Sequence, residues 1–182
     1  MTDTADLLAA CRAGDPRAAE TLVRAHHHDV FRLALSILDD AAEADDAAQE
    51  VLVAALRALG DYRGDATLKT WLYAATVNHC RSRLRKRRVR ERLVQALQRV
   101  LHAQRAAGAA EDAAIRHEAH AAVWRAVDAL DERHRLPVIL YYYHELPVSE
   151  IAAVLDIPAA TVYSRLHHAR ERLRTALGDG SL

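Results

Sequence analysis

The chain has 182 residues, and its 25 basic and 25 acidic side chains cancel at neutral pH. Alanine supplies 38 residues, whereas glycine and proline together supply only ten. This composition, rich in helix formers and poor in turn formers, predicts an all-α protein and excludes a β-sandwich, a barrel or a collagen-like chain.

Several kinds of site are excluded next. The six glycines form neither a dinucleotide-binding pattern nor a phosphate loop, so we expect no nucleotide hydrolysis and no cofactor. Cys11 and Cys80 have the spacing of no zinc or redox motif and are expected to be reduced. The N-terminus is acidic where a signal peptide is basic, and no apolar run could cross a bilayer. We therefore expect a cytoplasmic protein without membrane insertion.

Charge is segregated along the chain. The net charge is −6 over residues 1–60, +9 over 61–105, −5 over 106–160 and +2 over 161–182. The steepest basic run, residues 81–92, has eight cations and one carboxylate. Such a run suits a polyanion held along its phosphates, and a solvated, self-repelling face is the alternative.

The first predicted domain, residues 1–92, consists of helices. Asp15 followed by Pro16 is typical of a helix start, and Gly60 is expected to end a later helix. Helices are expected near 6–12, from 16 to about 38, from about 42 to 59, and from Thr70 or Trp71 through the basic run.

A linker and a second domain follow. Residues 93–114 are rich in alanine and contain Gly108, which predicts a partly helical linker. Residues 115–182 form the second predicted domain, with an apolar stripe from Ile115 and short helices at about 135–144, 149–155 and 159–177. The expected architecture is thus two small helical domains on one tether.

The second domain contains the pattern of a helix-turn-helix. Ser149 is placed to cap a short helix, and residues 156–158 form a tight corner before the next helix. One face of that helix is apolar at spacings of four, three and four residues, through Val162, Leu166, Ala169 and Leu173. The opposite flank carries Thr161, Ser164, Arg165 and His168, which suit base edges, and Arg172, which suits a phosphate. Such a corner also occurs in ordinary helical bundles.

The first domain has a second candidate site. Trp71 and Tyr73 precede Asn78, Arg81 and Arg85, and Tyr62 lies in the preceding loop. Aromatic rings beside cations and an amide can hold unstacked bases and grip the flanking phosphates. For Trp71, packing in the helical core is the favoured alternative.

Together these segments resemble the extracytoplasmic-function group of bacterial sigma factors, the initiation subunits of RNA polymerase. Residues 45–59, DDAAQEVLVAALRAL, resemble the polymerase-binding helix of that family. Residues 70–78, TWLYAATVN, resemble the segment that melts and reads the minus-ten element. Residues 130–173, from LDERHRL to ARERL, resemble the reader of the minus-thirty-five element.

The resemblance implies a sigma factor that binds core polymerase and directs initiation at chosen promoters, without being an enzyme and without a metal. Its implied partners are promoter DNA, the largest-subunit clamp, the flap of the partner subunit and an anti-sigma factor. The resemblance implies that core polymerase is contacted by Asp46, Gln49 and Glu50. It implies that the minus-ten element is contacted by Tyr62, Lys69, Trp71, Asn78, Arg81 and Arg85. It implies that the minus-thirty-five element is contacted by Thr161, Tyr163, Ser164, Arg165, His168 and Arg172.

The chain departs from the family pattern at three positions. Ser82 replaces a common aspartate, Ala160 a usual glycine and Tyr163 a frequent lysine. The first two changes are expected to affect packing little. Tyr163 removes a cation beside the groove, which bears on the preferred promoter sequence.

Three further hypotheses remain open. The second domain also resembles the DNA-binding domains of response regulators, so the chain could be a helix-turn-helix regulator that does not replace the sigma subunit. A metal site at His26–His28 and Asp29 is disfavoured because adjacent histidines on a helix point in different directions. The charge pattern also suggests that the acidic blocks fold over the basic ones in the free protein and weaken promoter binding.

Overall fold

The computed structural model describes residues 4–101 and 118–177, with the side chains of this part except those of 90–101 and 118–122. The described residues form helices and no β-strand, which confirms the all-α class. None of these helices combines the length and apolar character needed to cross a membrane. The α-helices are α1 (Thr4–Arg12), α2 (Pro16–Leu38), α3 (Ala41–Arg57), α4 (Leu68–Leu101), α5 (Glu118–Asp128), α6 (Glu132–Val138), α7 (Val148–Leu155) and α8 (Ala159–Leu177).

Aspartates set the starts of α2 and α3. Asp15 Oδ1 accepts a hydrogen bond from the backbone N–H of Arg17 at 2.8 Å, and a proline occupies the first helical position, as predicted. Asp40 Oδ1 accepts one from the N–H of Glu43, also at 2.8 Å. Asp39 reverses the chain between the two helices in the left-handed conformation, with φ 55°. The short connection packs α2 against α3.

Alanine builds much of the contact within the first domain. Several alanines of this domain are completely buried. Small side chains let helix axes approach closely. The fully buried alanines of α2 and α3 are Ala34, Ala44, Ala47 and Ala48.

The ends of α3 and α4 differ from their predicted positions. Helix α3 stops at Arg57, and residues Leu59–Asp61 continue as a 3-10 turn instead of ending at Gly60. Helix α4 begins at Leu68, two residues early, because the Thr67 hydroxyl accepts a hydrogen bond from the N–H of Thr70 at 3.1 Å. It continues to Leu101, so the first residues of the predicted linker are helical. Positions 102–117, which include Gly108 and Ile115, lie outside the described residues.

The second domain contains a π turn that the sequence analysis missed. A single helix was expected over 135–144, but α6 ends at Val138 and residues Ile139–Tyr143 form the wider turn. Pro137 lies inside α6 and has no N–H to donate, which weakens the regular helical bonding there. The turn ends at His144, whose N–H donates to the carbonyl of Ile139 at 3.1 Å.

The helix-turn-helix is built as its apolar spacing predicts. Asp156 turns the corner in the left-handed conformation, with φ 53°. The predicted cap was wrong, because α7 begins at Val148 after Pro147 and no side chain caps it. The four residues of the apolar face of α8 are all buried, namely Val162, Leu166, Ala169 and Leu173.

The two predicted domains share one buried core. Helix α7 of the second domain lies against α4 of the first. One continuous cluster of buried side chains includes Tyr73, Val77 and Leu84 from α4 and Leu140 and Ile151 from the second domain. Separating the domains would therefore expose apolar surface to water.

Asp131 anchors the second domain, and its removal should destabilise the fold. Its carboxylate accepts hydrogen bonds from the His134 N–H, from His134 Nδ1 at 2.6 Å and from Arg172 Nη1 at 3.2 Å. Desolvation raises the pKa of Asp131, but His134 and Arg172 outweigh it and lower the pKa from 3.8 to about 2. We expect Asp131→Ala to lower the free energy of unfolding by about 1–2 kcal/mol at pH 7, measured by urea denaturation.

The pH dependence of the free energy of unfolding tests whether the ionised Asp131 carboxylate causes this loss of stability. A lowered pKa stabilises the fold above pH 3.8, and that stability disappears as the pH falls toward 2. The difference in free energy of unfolding between wild type and Asp131→Ala should therefore become smaller over the same pH range. Asp65→Ala, in an exposed loop, is the control and should be nearly neutral. Equal stability of Asp131→Ala and wild type at pH 7 would contradict the assignment.

Candidate nucleic-acid interface

The loop between α3 and α4 forms one wall of a concave pocket. The pocket has a volume of about 360 Å³ and is lined by residues 61–66 of the loop, by Thr70, Trp71 and Ala74 of α4 and by Ala153 of α7. This volume falls in the range of pockets that hold small organic groups. The aromatic wall comes from Tyr62 and Trp71, whose ring centroids are 5.4 Å apart.

The loop is held in shape by local and distant hydrogen bonds. The Tyr62 hydroxyl donates to the carbonyl of Ala66 at 2.7 Å and closes the loop on itself. Arg12, at the end of α1, donates from Nη2 to the carbonyl of Tyr62 at 2.6 Å and from Nε to that of Leu59 at 3.1 Å. Gly64 has φ 84°, a conformation that side chains with a Cβ rarely adopt. The pocket wall is therefore preorganised.

Two of the predicted minus-ten residues, Trp71 and Lys69, have contacts within the folded chain. Trp71 is half-buried: it packs against the core of the first domain, and it also lines the pocket. The Nζ of Lys69 lies 3.4 Å from Oδ2 of Asp29 on α2. It also lies 5.4 Å from the ring centroid of Tyr73 on α4.

The basic run of α4 divides into groups with different partners. Arg81 Nε donates to Glu132 Oε1 of the second domain at 2.8 Å. Arg83 Nη2 donates to Glu50 Oε1 of α3 at 2.6 Å. Asn78 and Arg85 are exposed to solvent. The predicted phosphate-binding surface is therefore open at Asn78 and Arg85 and occupied at Arg81.

The three predicted polymerase-binding residues lie on one exposed stretch of α3. Asp46 is exposed, and Gln49 donates to Asp45 at 2.7 Å. Besides its bond to Arg83, Glu50 places its second oxygen 3.5 Å from Nε2 of His79. Burial lowers the pKa of His79, although the Glu50 carboxylate opposes this shift. The stretch is thus a polar, acidic surface joined to α4.

Helix α8 presents the predicted minus-thirty-five residues on its exposed flank. Ser164 and His168 are exposed, Tyr163 is 62% exposed, and Thr161 and Arg165 are half-buried. Arg172 lies farther along the helix, and its Nη1 donates to Asp131 Oδ2 at 3.2 Å. Thr161, Tyr163, Ser164, Arg165 and His168 are thus all at least partly exposed on the second helix of the motif, the element that a helix-turn-helix places in a major groove.

Sequence reasoning missed the residues that join distant parts of the chain. Arg12 reaches across 50 positions to the loop, and nothing in its neighbourhood signals that contact. Glu132 and Glu150 contact the first domain, for which the acidic charge of residues 106–160 was the only signal. Within residues 4–101 and 118–177, no group of three or more histidines, cysteines or carboxylates is arranged to hold a metal ion.

Comparison with known proteins covers both domains. Residues 22–90 match the family model of sigma-70 region 2, and residues 120–173 match that of sigma-70 region 4. The RNA polymerase sigma-H factor of Pseudomonas aeruginosa is 36% identical over 170 residues, which cover 90% of this chain and 88% of the relative. The ECF RNA polymerase sigma factor SigM of Mycobacterium tuberculosis is 34% identical over 174 residues, which cover 96% of this chain and 84% of the relative.

A solved structure has a similar fold. CnrH, in complex with the cytosolic domain of CnrY, has a TM-score of 0.67 and 26% identity, and the match covers 96% of this chain and 97% of that chain. The likeness therefore extends over both helical domains.

Proposed function

The chain belongs to the extracytoplasmic-function group of the sigma-70 family, and from this premise we propose how its residues select and open a promoter. It is a sigma factor, which binds core RNA polymerase and directs initiation at specific promoters. The observation that carries the function is the presence of both regions, in order, on one chain. A helix-turn-helix regulator that leaves the sigma subunit in place would not need the first of them.

The acidic stretch of α3 is the proposed contact with the polymerase clamp. Asp46, Gln49 and Glu50 lie close together on exposed helix, and Arg83 holds Glu50 in place, which reduces the side-chain entropy that this residue would lose on docking. The second domain would rest on the flap of the partner subunit. The protein would act in the cytoplasm, where it meets polymerase.

The pocket between Tyr62 and Trp71 is the proposed site for a base extruded from the minus-ten element. Taking a base out of the duplex stack costs a few kcal/mol, which stacking on an aromatic ring can offset. Asn78 and Arg85 of α4 would hold the flanking backbone, together with Lys69 and Arg81 once these leave their present partners. Binding energy would drive melting without a chemical step, so we propose that the protein is not an enzyme.

Helix α8 is the proposed reader of the minus-thirty-five element. Thr161, Ser164, Arg165 and His168 would meet base edges, and Arg172 would meet a phosphate. Tyr163 would present a ring instead of a cation, which favours apolar contact with a thymine methyl group. Because phosphate contacts release counterions, promoter affinity should fall steeply with salt.

Reconstituted transcription tests this function directly. Core polymerase and the purified chain would be incubated with a promoter library, and the initiated sequences would be recovered from run-off transcripts. We expect initiation at a restricted set of promoters that depends on the added chain. Start-site choice that is the same with and without the chain would refute the function.

Arg165→Ala should relax recognition of the minus-thirty-five element. Loss of a bidentate base contact removes about 1–3 kcal/mol of discrimination, which is about fivefold to about 150-fold in relative promoter use. Run-off transcription from promoters that differ only in that element measures the change. Arg24→Ala removes an equal charge from α2, where the side chain is 79% exposed, and should keep the preference of the wild type. Unchanged preference in Arg165→Ala would count against the assigned role.

Asp46→Asn should weaken binding to core polymerase by about threefold to tenfold, because it removes an exposed charge from the docking surface without changing its size. Fluorescence anisotropy with labelled protein measures the affinity. Glu20→Gln makes the same chemical change at an exposed position of α2 and should leave the affinity unaltered. If both variants bind core polymerase equally well, α3 is not the docking surface.

A further inference from the structure

Arg83 of α4 supports the proposed docking surface of α3 from behind. Its Nη2 donates to Glu50 Oε1 at 2.6 Å, and its Nη1 donates to the backbone carbonyl of Glu43 at 3.2 Å. Glu43 and Glu50 are seven residues apart, so they lie on the same face of α3, about two turns from each other. One guanidinium therefore bonds the exposed stretch of α3 at two points along its length.

His79 is the third partner of the same guanidinium. Arg83 Nε donates to His79 Nε2 at 3.1 Å, across one turn of α4. Each of the three side-chain nitrogens of Arg83 thus has an acceptor. Because the guanidinium is planar and rigid, three such bonds fix its orientation, and with it the position of the Glu50 carboxylate.

The carboxylate that these residues hold is open to a partner, whereas the residues themselves are mostly covered. The Glu50 side chain is 59% exposed, but those of His79 and Arg83 are only 26% and 25% exposed. A protein that docks on α3 therefore meets Glu50 much more than the two residues of α4. The effect of His79 and Arg83 on such a partner is transmitted through Glu50.

The hydrogen bond between Arg83 and His79 requires a neutral imidazole. A guanidinium has donors and no acceptor, so Nε2 of His79 must carry a lone pair and the ring proton must lie on Nδ1. A second proton would place an N–H on Nε2, facing the N–H of Arg83. That bond would break, and the new N–H would face Glu50 Oε2, which lies 3.5 Å away. Protonation of His79 therefore changes how Glu50 is held.

The surroundings of His79 favour this neutral form. Burial lowers its pKa below the ordinary value of 6.5. The Glu50 carboxylate opposes the shift, and the charges of Arg83 and Lys86 add to it. The charged groups in and around the cleft between the two helices are Glu43 and Glu50 of α3 and Arg83, Lys86 and Arg87 of α4.

We propose that Arg83 and His79 are positioning residues for polymerase docking, which hold the Glu50 carboxylate in the orientation that the clamp meets. This inference rests on the proposed function, since it takes α3 as the docking surface. Affinity for core polymerase then depends on two residues of α4 as well as on α3. The same helix carries the proposed DNA contacts Asn78 and Arg85 at other positions.

Arg83→Lys should weaken binding to core polymerase by about threefold to tenfold at pH 7.5, although it keeps the charge. An ammonium group lacks the planar fork that bonds Glu50, the Glu43 carbonyl and His79 together. Fluorescence anisotropy with the labelled full-length chain measures the affinity. Arg24→Lys makes the same substitution at an exposed position of α2 and should bind like wild type.

A double-mutant cycle separates positioning from a general effect on the fold. If Arg83 acts through Glu50, the loss caused by Arg83→Lys should shrink to less than about twofold when Glu50→Ala is already present. Independent, multiplicative effects of the two substitutions on the affinity would overturn the proposal. Circular dichroism and urea denaturation show that each variant used in the cycle is folded.

The pH dependence of core binding tests His79. His79→Gln presents an amide oxygen that can accept from Arg83 and does not titrate. Neutral His79 favours docking, so the wild-type affinity is complete above pH 6.5 and falls as the pH drops through the lowered pKa. Between pH 7.5 and 5.5 the affinity should fall about threefold more in wild type than in His79→Gln.

A matched histidine variant isolates this effect. His28→Gln makes the same substitution at an exposed position of α2 and should keep the pH response of the wild type. Groups of the polymerase that titrate contribute equally to all chains. Identical pH responses of His79→Gln and wild type would overturn the role of His79.

The docking surface and its positioning can fail separately. Full affinity for core polymerase in both Asp46→Asn and Glu50→Ala would refute the proposed surface, and the positioning with it. Weakened binding in these two variants, together with full affinity in Arg83→Lys, would refute only the positioning.

Discussion

The apolar stripe of α4 is the contact on which both halves of the molecule depend. Tyr73, Val77 and Leu84 recur at spacings of four and seven residues and lie in the cluster that the two domains share. The same helix carries the basic run on its other sides. One helix thus provides the contact between the domains and the basic surface that we propose for the DNA backbone.

Local patterns predicted the elements well, because their causes are local. The spacing of Val162, Leu166, Ala169 and Leu173 indicated the buried face of α8 correctly, and Asp15 capped α2 as expected. The Ser149 cap was wrong, since the backbone enters α7 from Pro147 and leaves the serine inside the helix. The π turn was missed, because hydrophobic periodicity does not report a change of hydrogen-bond register.

The candidate site was predictable in its residue types and much less so in its partners. The basic run indicated a polyanion surface, yet Arg81 and Arg83 bond to carboxylates 51 and 33 positions away. Segregation of charge along a chain indicates that acidic and basic segments attract each other, but it does not identify the residues that form the contacts. Trp71 shows the same limit, because it is both a core residue and a wall of the pocket.

Arg12 has a consequence for how the proposed base pocket is built. It lies outside residues 22–90, the part that matches the family model, yet it fixes the backbone of the Tyr62 loop through two carbonyls. The shape of the proposed base pocket is therefore set in part by an N-terminal segment that lies outside the matched region. A change ahead of residue 22 that removed this arginine would loosen the backbone of that pocket.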